Sequence, residues 1–297
     1  MIMTSDSAPS PRFDRAQILK AAGSMGVLGG NAHSAPRVMA ALCNPVVSAS
    51  QVAALIAKEP ALYARVLRVA NSAYYGQARS ISTVESAVLL LGLDAVRGIA
   101  AAACLDRTAA STAGTALIDM RALVQHSLAT AAAADALARI GHATLAADAF
   151  IAGLLHNLGT TVQIQLDTAG VQAIIRLREA ADMRELRILE KERVAVGHED
   201  CAAVIFESWQ LPEALIAAAR HHHDPMSAPE SFRPLAALVN LGANLGLATG
   251  NTHTLEPQPA PRLAPAMDYL GLSDENLDAV AAELPERVAA LRQAIMG

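Results

Sequence analysis

A histidine and an asparagine stand side by side inside an apolar stretch, in the segment Leu154-Leu155-His156-Asn157-Leu158-Gly159. Neighbouring residues of an α-helix point about 100° apart, so both side chains reach one pocket only if that pocket straddles the inner face of the helix. Such a pair can offer two ligands to a metal ion, with further ligands arriving from neighbouring helices. A metal site would have a carboxylate ligand at the second position, whereas this chain has an amide there. This amide in place of a carboxylate is the main clue to function in the sequence.

Other polar residues in apolar surroundings extend this pattern. His126 lies among alanines in a predicted long helix, and Asn244 lies in another uncharged, apolar segment. Taken singly, a histidine is more often a satisfied core or capping residue than a ligand, so the set and its order carry the prediction. His198, His222 and His223 are nearby polar candidates. The run that contains the last two is equally well explained as a helix C-terminal cap, where the helix dipole favours an imidazolium.

The composition favours an all-α protein. Of the 297 residues, 53% are hydrophobic and only 3% are aromatic, and much of the apolar content is alanine, which has the best helix propensity. The formal net charge of −5 supplies no basic field that would recruit nucleic acid or an anionic membrane. Cys43, Cys104 and Cys201 are odd in number and far apart, which is typical of buried thiols in a reducing cytoplasm.

Hydrophobic spacing, caps and helix breakers predict a succession of helices. The predicted helices are 14–23, 34–44, 50–59, 60–70, 84–91 after a capping box from Ser82 to Glu85, 94–105, 119–140, 145–158, a charged hairpin over 171–194, 198–209, 212–221, 235–247, and a final pair 274–284 and 286–296 separated by Pro285. We expect a disordered tail over 1–12, an N-terminal helical subdomain over 13–110 and a second helical subdomain over 116–297, with a linker at 108–115.

Two other classes of function are disfavoured. The uncharged runs 149–166 and 235–255 contain histidine, asparagine and glutamine, so we interpret them as buried helices rather than membrane spans. The helices 84–91 and 94–105 superficially resemble a helix-turn-helix, but the second offers only Arg97 to bind phosphates. The N-terminus has no apolar signal-peptide core, and we expect a cytoplasmic location.

The segment Asn71-Ser72-Ala73-Tyr74-Tyr75-Gly76 interrupts a strongly helical pattern. One interpretation is a turn in which Asn71 satisfies backbone groups while the tyrosines pack over it. The alternative is a partner-binding surface that contains Asn71, Tyr74 and Tyr75.

The order of the site residues resembles the HD superfamily of metal-dependent phosphohydrolases, whose pattern is a first histidine, a His-Asp pair and a later aspartate. The four matching positions, called here the HD positions, are His126, His156, Asn157 and Asn244. The resemblance is closer to one branch, the HDOD domain, over roughly residues 15–250. The motifs that carry it are Asn44-Pro45, Glu59-Pro60-Ala61-Leu62, Arg65-Val66-Leu67, the Asn71 to Gly76 segment, 82–93, His126-Ser127, 153–159, His198, Trp209-Gln210-Leu211-Pro212 and His222-His223.

The resemblance implies an N-terminal helical subdomain packed on a degenerate HD-type subdomain. It also implies bacterial signal transduction through protein partners, in motility, chemotaxis or cyclic di-GMP networks. Two amides in place of two carboxylates remove charge that would offset desolvation of a metal ion, and the lysine frequent after His-Asp-x-Gly is Thr160 here. We therefore expect no catalytic residue, no bound metal and no cofactor.

Two alternatives remain open from the sequence. One is a weak metal-dependent phosphohydrolase or phosphodiesterase that uses the four HD positions, with His198 and His222 nearby. The other is a nucleotide or phosphate ligand held by neutral amides and histidines in the emptied pocket.

Overall fold

The computed structural model describes residues 11–24, 34–44, 46–71, 81–112, 118–177, 183–253, 255 and 263–296. Within these ranges the chain forms α-helices, a few short 3₁₀ helices and no β-strand, which confirms the predicted all-α class. The helices are α1 (Arg15–Ser24), α2 (Ser34–Leu42), α3 (Ala49–Ile56), α4 (Pro60–Ala70), α5 (Val84–Ser111), α6 (Met120–Gly141), α7 (Ala146–Leu155), α8 (Leu158–Leu166), α9 (Thr168–Leu177), α10 (Met183–Val194), α11 (His198–Ser208), α12 (Glu213–His221), α13 (Arg233–Ala248), α14 (Ala264–Leu270) and α15 (Asp274–Met296).

Several helices begin where side-chain caps in the sequence predict. The carboxylate of Asp119 accepts hydrogen bonds from the backbone N–H groups of Arg121 at 2.8 Å and Ala122 at 3.3 Å, and α6 starts at the next residue. At α3, Ser48 and Gln51 form a reciprocal capping box. Both arrangements satisfy backbone donors that the first helical turn leaves without partners.

The helix pair predicted around Gly92 is largely confirmed, with two corrections. Gly92 has φ +78° and ψ 162°, so the backbone of α5 leaves the helical region there, a conformation that glycine adopts without a steric penalty. The second half extends to Ser111 rather than ending at 105. The cap is Thr83, whose hydroxyl accepts from Ser86 N at 3.2 Å, and not Ser82, because the first helical residue is Val84.

One helix of the described chain, Val84–Ala110, is long and apolar enough by length and composition to cross a membrane, and 56% of its most apolar stretch is buried inside the protein. Buried core helices of soluble proteins share these properties. The two runs that the sequence singled out, 149–166 and 235–255, contribute buried residues to the core through α7, α8 and α13.

The predicted central helix ends earlier than expected. A helix over 145–158 was predicted, but α7 ends at Leu155 and α8 begins at Leu158. Between them Asn157 has φ −94° and ψ 13°, and its carbonyl accepts a hydrogen bond from Thr160 N at 3.1 Å. The pair His156 and Asn157 therefore lies at a joint between two helices rather than within one.

The C-terminal segment forms one helix rather than the predicted pair. α15 continues through Pro285, although proline removes one backbone hydrogen bond. Leu284 and Val288 on either side of the proline are both buried, and the main neighbour of α15 is α6. Burial of side chains on both sides of the proline favours continuation of the helix.

A continuous hydrophobic core includes residues from both halves of the chain. α2, α3 and α4 pack on α5, while α1 packs on α11 and α8 in the second half. The division into subdomains over 13–110 and 116–297 stays a prediction. Of the predicted disordered tail, residues 1–10 lie outside the described chain, and the backbone N–H of Arg12 donates to Asp167 at 3.2 Å.

The three cysteines are free thiols, with Cys104 and Cys201 buried and Cys43 half-buried. Burial raises the pKa of Cys104 to about 12, and burial together with nearby carboxylates raises the pKa of Cys201 as well. Burial also raises the pKa of Cys43, against the opposing influence of Arg97.

We expect Cys104 and Cys201 to resist thiol reagents in the native protein. With a pKa of about 12 for Cys104, only about one thiol in 10,000 is ionised at pH 8, and the thiolate is the reactive form. Labelling with a maleimide, followed by peptide mass spectrometry, should show both sites protected in native protein and all three cysteines labelled in denaturant. Rapid native labelling of Cys104 would contradict this expectation.

Candidate functional site

The helices that position the four HD positions pack close together. Gly153 on α7 and Gly242 on α13 both face the alanine-rich α6. A Cβ atom built on Gly153 would lie 3.0 Å from the Ala131 backbone, and one built on Gly242 would lie 2.8 Å from the carbonyl oxygen of Thr130. Because neither glycine carries a side chain, α7 and α13 approach the backbone of α6 directly. This close packing places His126 of α6 beside the joint between α7 and α8.

His126 and His156 are fully buried neighbours, with ring centroids 5.3 Å apart. The Nδ1 atom of His126 lies 2.9 Å from the carbonyl oxygen of Asn251, and Nδ1 of His156 lies 2.7 Å from the carbonyl oxygen of Gly153. A carbonyl only accepts hydrogen bonds, so Nδ1 carries the proton in each ring. These bonds fix the orientation of both imidazoles.

A third imidazole ring, that of His253, lies next to this pair. His253 comes from the segment after α13, is buried, and has its ring centroid 4.7 Å from that of His126. Its Nε2 atom lies 3.3 Å from the side-chain nitrogen of Asn157. The amide that replaces the expected carboxylate is thus hydrogen-bonded to a histidine.

Asn244 is held by its own helix. Its side-chain nitrogen donates to the carbonyl of Asn240 at 2.8 Å, and the Asn240 side chain in turn donates to the carbonyl of His222 at 2.7 Å. This relay connects α13 to the end of α12. Asn244 therefore contributes to the packing of α13 against the end of α12.

The HD positions do not fit the metal that the superfamily implies. Two of the four side chains are uncharged amides, and both amides make hydrogen bonds with protein groups. In the described part of the chain, the clusters of three histidine, cysteine or carboxylate side chains whose ligand atoms lie within 4.8 Å of one another include neither His126 nor His156. We derive no chemical step through a metal at these positions.

A second cluster lies next to the first and is richer in ligand atoms. Its members are His198 at the start of α11 and the pair His222 and His223 at the end of α12. The Nε2 atom of His198 lies 3.3 Å from Nε2 of His222 and 3.0 Å from Nε2 of His223. On its other side, Nδ1 of His198 lies 2.9 Å from a carboxylate oxygen of Glu190. We call His198, His222 and His223 the three-histidine cluster.

Two buried carboxylates accompany the three-histidine cluster. Glu190 also accepts a hydrogen bond from the backbone N–H of His198 at 3.0 Å. Glu199 lies 3.6 Å from Arg187 and 3.7 Å from Lys191. Burial of Glu199 opposes its ionisation, but the positive groups around it, first among them His198, outweigh burial and hold the pKa of Glu199 below its usual value.

The two groups of histidines are continuous. Ring centroids of His156 and His222 lie 4.9 Å apart, so a row of six imidazoles runs from His253 to the three-histidine cluster. The sequence identified five of them, namely His126, His156, His198, His222 and His223, and the structure brings all five together. His253 was missed because it lies in an irregular segment after α13, where no helical spacing marks a residue as buried.

The proposed partner surface is described only in part. The side chain of Asn71 accepts from Ile81 N at 2.7 Å and donates to the carbonyls of Ile81 and Leu67, each at 2.8 Å. These bonds to backbone groups confirm that part of the turn interpretation. Tyr74 and Tyr75 lie outside the described residues.

A cavity of about 600 Å³ opens next to Asn251, between α6 and α15. Its polar lining includes Gln125, Asn251 and Arg292, and neither His126 nor His156 lines it. The cavity is therefore separate from the pocket in which the nucleotide alternative placed its ligand.

Sequence comparison identifies the family. The HDOD domain model matches residues 31–225, more than half of the 297 residues. An uncharacterized protein of Treponema pallidum (strain Nichols) is 31% identical over 205 residues, which cover 68% of this chain and 39% of that protein. The chain thus spans about two fifths of the length of this relative.

Solved structures share the fold. An HDOD domain protein from Geobacter sulfurreducens matches with a TM-score of 0.72 and 23% identity over 95% of this chain and 98% of that one. A protein from Marinobacter aquaeolei VT8, provisionally named for signal transduction, matches with a TM-score of 0.71 and 22% identity over 95% of this chain and 66% of that one. A protein from Shewanella amazonensis SB2B, provisionally named as a phosphohydrolase, matches with a TM-score of 0.71 and 21% identity over 94% and 98% of the two chains.

At these identities the structures show a common fold. The family model independently covers most of the N-terminal helices together with His126, His156, Asn157, His198 and the His222-His223 pair. This chain belongs to the HDOD domain family.

Proposed function

We propose that this protein is a non-enzymatic signalling module that acts through contacts with other proteins. The observation that carries the proposal is the state of the HD positions. Asn157 and Asn244 stand where the superfamily pattern has carboxylates, and their amides bond to His253 and to the carbonyl of Asn240. Hydrogen bonds from both amide nitrogens to protein groups support a structural role for these residues rather than a catalytic one.

The loss of charge has a chemical consequence for hydrolysis. Hydrolysis by an HD enzyme requires a metal ion that lowers the pKa of a bound water molecule. Two carboxylates would supply two negative charges to offset desolvation of that ion, whereas two amides supply none. A metal bound only by His126, His156 and two amide oxygens would be held weakly, so water activation at this position is not expected.

The same proposal places the protein in the bacterial cytoplasm, within a signalling network such as those of motility or cyclic di-GMP. Free thiols at Cys43, Cys104 and Cys201 are consistent with a reducing compartment. The provisional name of the Marinobacter aquaeolei protein of the same fold also supports a role in signalling.

Restoring the carboxylates should not create an enzyme. In the double variant Asn157→Asp and Asn244→Asp, we expect no phosphodiester hydrolysis above background with Mn²⁺ or Fe²⁺. The carboxylate at 244 would face the carbonyl of Asn240, to which the present amide donates, and burial of unpaired acceptors should destabilise the fold by roughly 1–3 kcal/mol. Assays with bis(p-nitrophenyl) phosphate and cyclic di-GMP, next to the unmodified protein, measure turnover. Saturable turnover by the unmodified protein that is abolished by His156→Ala would overturn the non-enzymatic proposal.

The partner surface requires a separate experiment. Reciprocal affinity capture from lysate of the bacterium that makes the protein should recover a partner with unmodified protein and lose it with Tyr74→Ala and Tyr75→Ala. Tyr269→Ala is the matched control, since Tyr269 is an exposed tyrosine on α14. Equal capture by the unmodified protein and by all three variants would exclude this surface and direct attention to the charged hairpin of α9 and α10.

One observation favours a second candidate function, a metal-dependent phosphohydrolase. The three-histidine cluster could hold a metal ion next to the HD positions, and the Shewanella amazonensis protein of the same fold is provisionally named as a phosphohydrolase. The turnover assay described above decides between the two candidates.

A further inference from the structure

The cavity between α6 and α15 has the size and the lining of a small-molecule site. Its volume of about 600 Å³ lies within the roughly 300–1,000 Å³ of ordinary ligand pockets. α15 contributes apolar side chains, while α6 and the segment after α13 contribute amides; these residues are Pro285, Val288, Ala289, Gln125 and Asn251. Apolar surface with a few polar groups is the usual lining of a site that orients a ligand. We call this space the Arg292 cavity, after its charged residue.

The amides of the Arg292 cavity are held in place by the protein. The side chain of Gln125 donates to Oδ1 of Asn251 at 3.1 Å, and the side chain of Asn251 donates to the hydroxyl of Thr249 at 3.2 Å. The backbone N–H of Asn251 donates to the carbonyl of Gly246 at 2.9 Å, and the Asn251 carbonyl accepts from Nδ1 of His126 at 2.9 Å. Each primary amide has two N–H hydrogens and uses one in these bonds. Each therefore keeps an ordered donor for a ligand, which lowers the entropic cost of binding.

The Arg292 cavity carries a positive charge. Among the described residues that line it, Arg292 is the only charged one. Helical ion pairs form between side chains three or four residues apart, and α15 has no carboxylate at these spacings from Arg292. Arg287, five residues earlier on the same helix, is instead paired with Glu283 at 2.8 Å. The guanidinium of Arg292 is thus the group of the cavity that attracts an anion.

The lining determines the chemistry of the ligand. A guanidinium binds a phosphate or a carboxylate through two parallel N–H···O bonds, and one arginine balances one such group. The amides of Gln125 and Asn251 match a hydrogen-bonding edge, such as that of a nucleobase or a peptide group. Pro285 and Val288 offer apolar surface to the rest of the molecule. The described lining contains no carboxylate, so it does not favour a divalent cation.

We propose that the Arg292 cavity binds a small organic oxyanion, with its phosphate or carboxylate on Arg292 and the hydrogen-bonding edge of its body on Gln125 and Asn251. The site is distinct from the HD positions and from the three-histidine cluster, and it goes beyond the proposed signalling function because it requires no protein partner. The Asn251 carbonyl accepts from Nδ1 of His126, so the ligand contacts the residue that orients one imidazole of the HD positions.

The test uses the full-length protein and two organic anions, 5′-AMP and hippurate. The first carries a phosphate and a nucleobase, and the second a carboxylate, an amide and an apolar ring. Calorimetry should show that at least one of them binds once per chain with a Kd of about 100 µM or tighter. Its neutral counterpart, adenosine or hippuramide, should bind at least about tenfold more weakly, since a hydrogen-bonded charge is lost.

Two results of this titration would overturn the proposal. One is the absence of binding by both organic anions at about 1 mM. The other is inorganic phosphate binding as tightly as the organic anion, which would indicate an adventitious ion only on an exposed arginine. Preference for 5′-AMP would identify the ligand as an organic phosphate, and preference for hippurate as a carboxylate.

Variants locate the bound anion. Arg292→Gln should weaken binding by about tenfold or more, and Arg292→Lys should restore only part of the affinity, because lysine keeps the charge but lacks the planar fork. Arg287→Gln is the matched control on the same helix, and its affinity should be unchanged. Circular dichroism confirms that each variant is folded. Unchanged binding in Arg292→Gln, or equal weakening in Arg287→Gln, would overturn the site. The signalling proposal is tested separately, by turnover and partner capture, so it survives failure of this site.

Discussion

Gly159→Ala is expected to destabilise the protein by about 3 kcal/mol or more, since overpacking a rigid core is strongly unfavourable. A Cβ atom at this position would lie 1.9 Å from the carbonyl oxygen of His198 and 2.6 Å from the backbone nitrogen of Ala202. Both are backbone atoms of α11, so no side-chain rotation can relieve the clash. The helices α8 and α11 would have to separate, and the position of His198 would change with them.

Chemical denaturation followed by circular dichroism measures this effect. Gly141→Ala is the matched control, because a Cβ at Gly141, the last residue of α6, meets no atom within 4 Å. Alanine should be neutral or slightly stabilising there, given its higher helix propensity. Similar denaturation midpoints for Gly159→Ala and Gly141→Ala would show that α8 and α11 can separate without a large loss of stability.

Glu190→Ala is expected to destabilise the protein by about 3–5 kcal/mol, the usual effect of removing one partner of a buried, charge-assisted pair. Glu190 is 4% exposed. Its carboxylate accepts from Nδ1 of His198 at 2.9 Å, from the His198 backbone N–H at 3.0 Å and from the Gln163 side chain at 3.4 Å. Alanine would leave these buried donors without an acceptor and would also leave a void.

The measurement is urea unfolding in the presence of a chelator, so that metal binding does not contribute. Glu192→Ala, at an exposed position of the same helix, should change stability by no more than about 0.5 kcal/mol. The free energy of unfolding of Glu190→Gln should lie between those of Glu190→Ala and Glu192→Ala, because glutamine keeps an acceptor oxygen but loses the charge. A Glu190→Ala variant as stable as Glu192→Ala would show that the pair contributes nothing to folding.

Much of the helical fold follows from local signals. Asp119 marks the start of α6, Pro212 precedes α12, and Gly92 breaks α5 as predicted. The errors occur where tertiary packing overrides such signals. Pro285 would end an isolated helix, but burial of Leu284 and Val288 keeps α15 continuous.

The site was predictable in its members but not in its arrangement. The order of His126, the His156-Asn157 pair and Asn244 identifies the HD positions, whereas the turn at Asn157 depends on how α7 and α8 meet. His253 lies in an irregular segment, and Glu190 lies in a strongly charged helix whose composition suggests exposure. Neither position has a local pattern that reveals its burial, so their roles emerge only from the packed structure.

The boundaries of the family match have a practical consequence for α6. The match ends at residue 225, yet two major neighbours of α6, α13 and α15, lie beyond it. A fragment cut at the end of the match would uncover the alanine face of α6 and remove both Asn244 and His253. The stretch that the family model matches is therefore shorter than the stretch that buries α6.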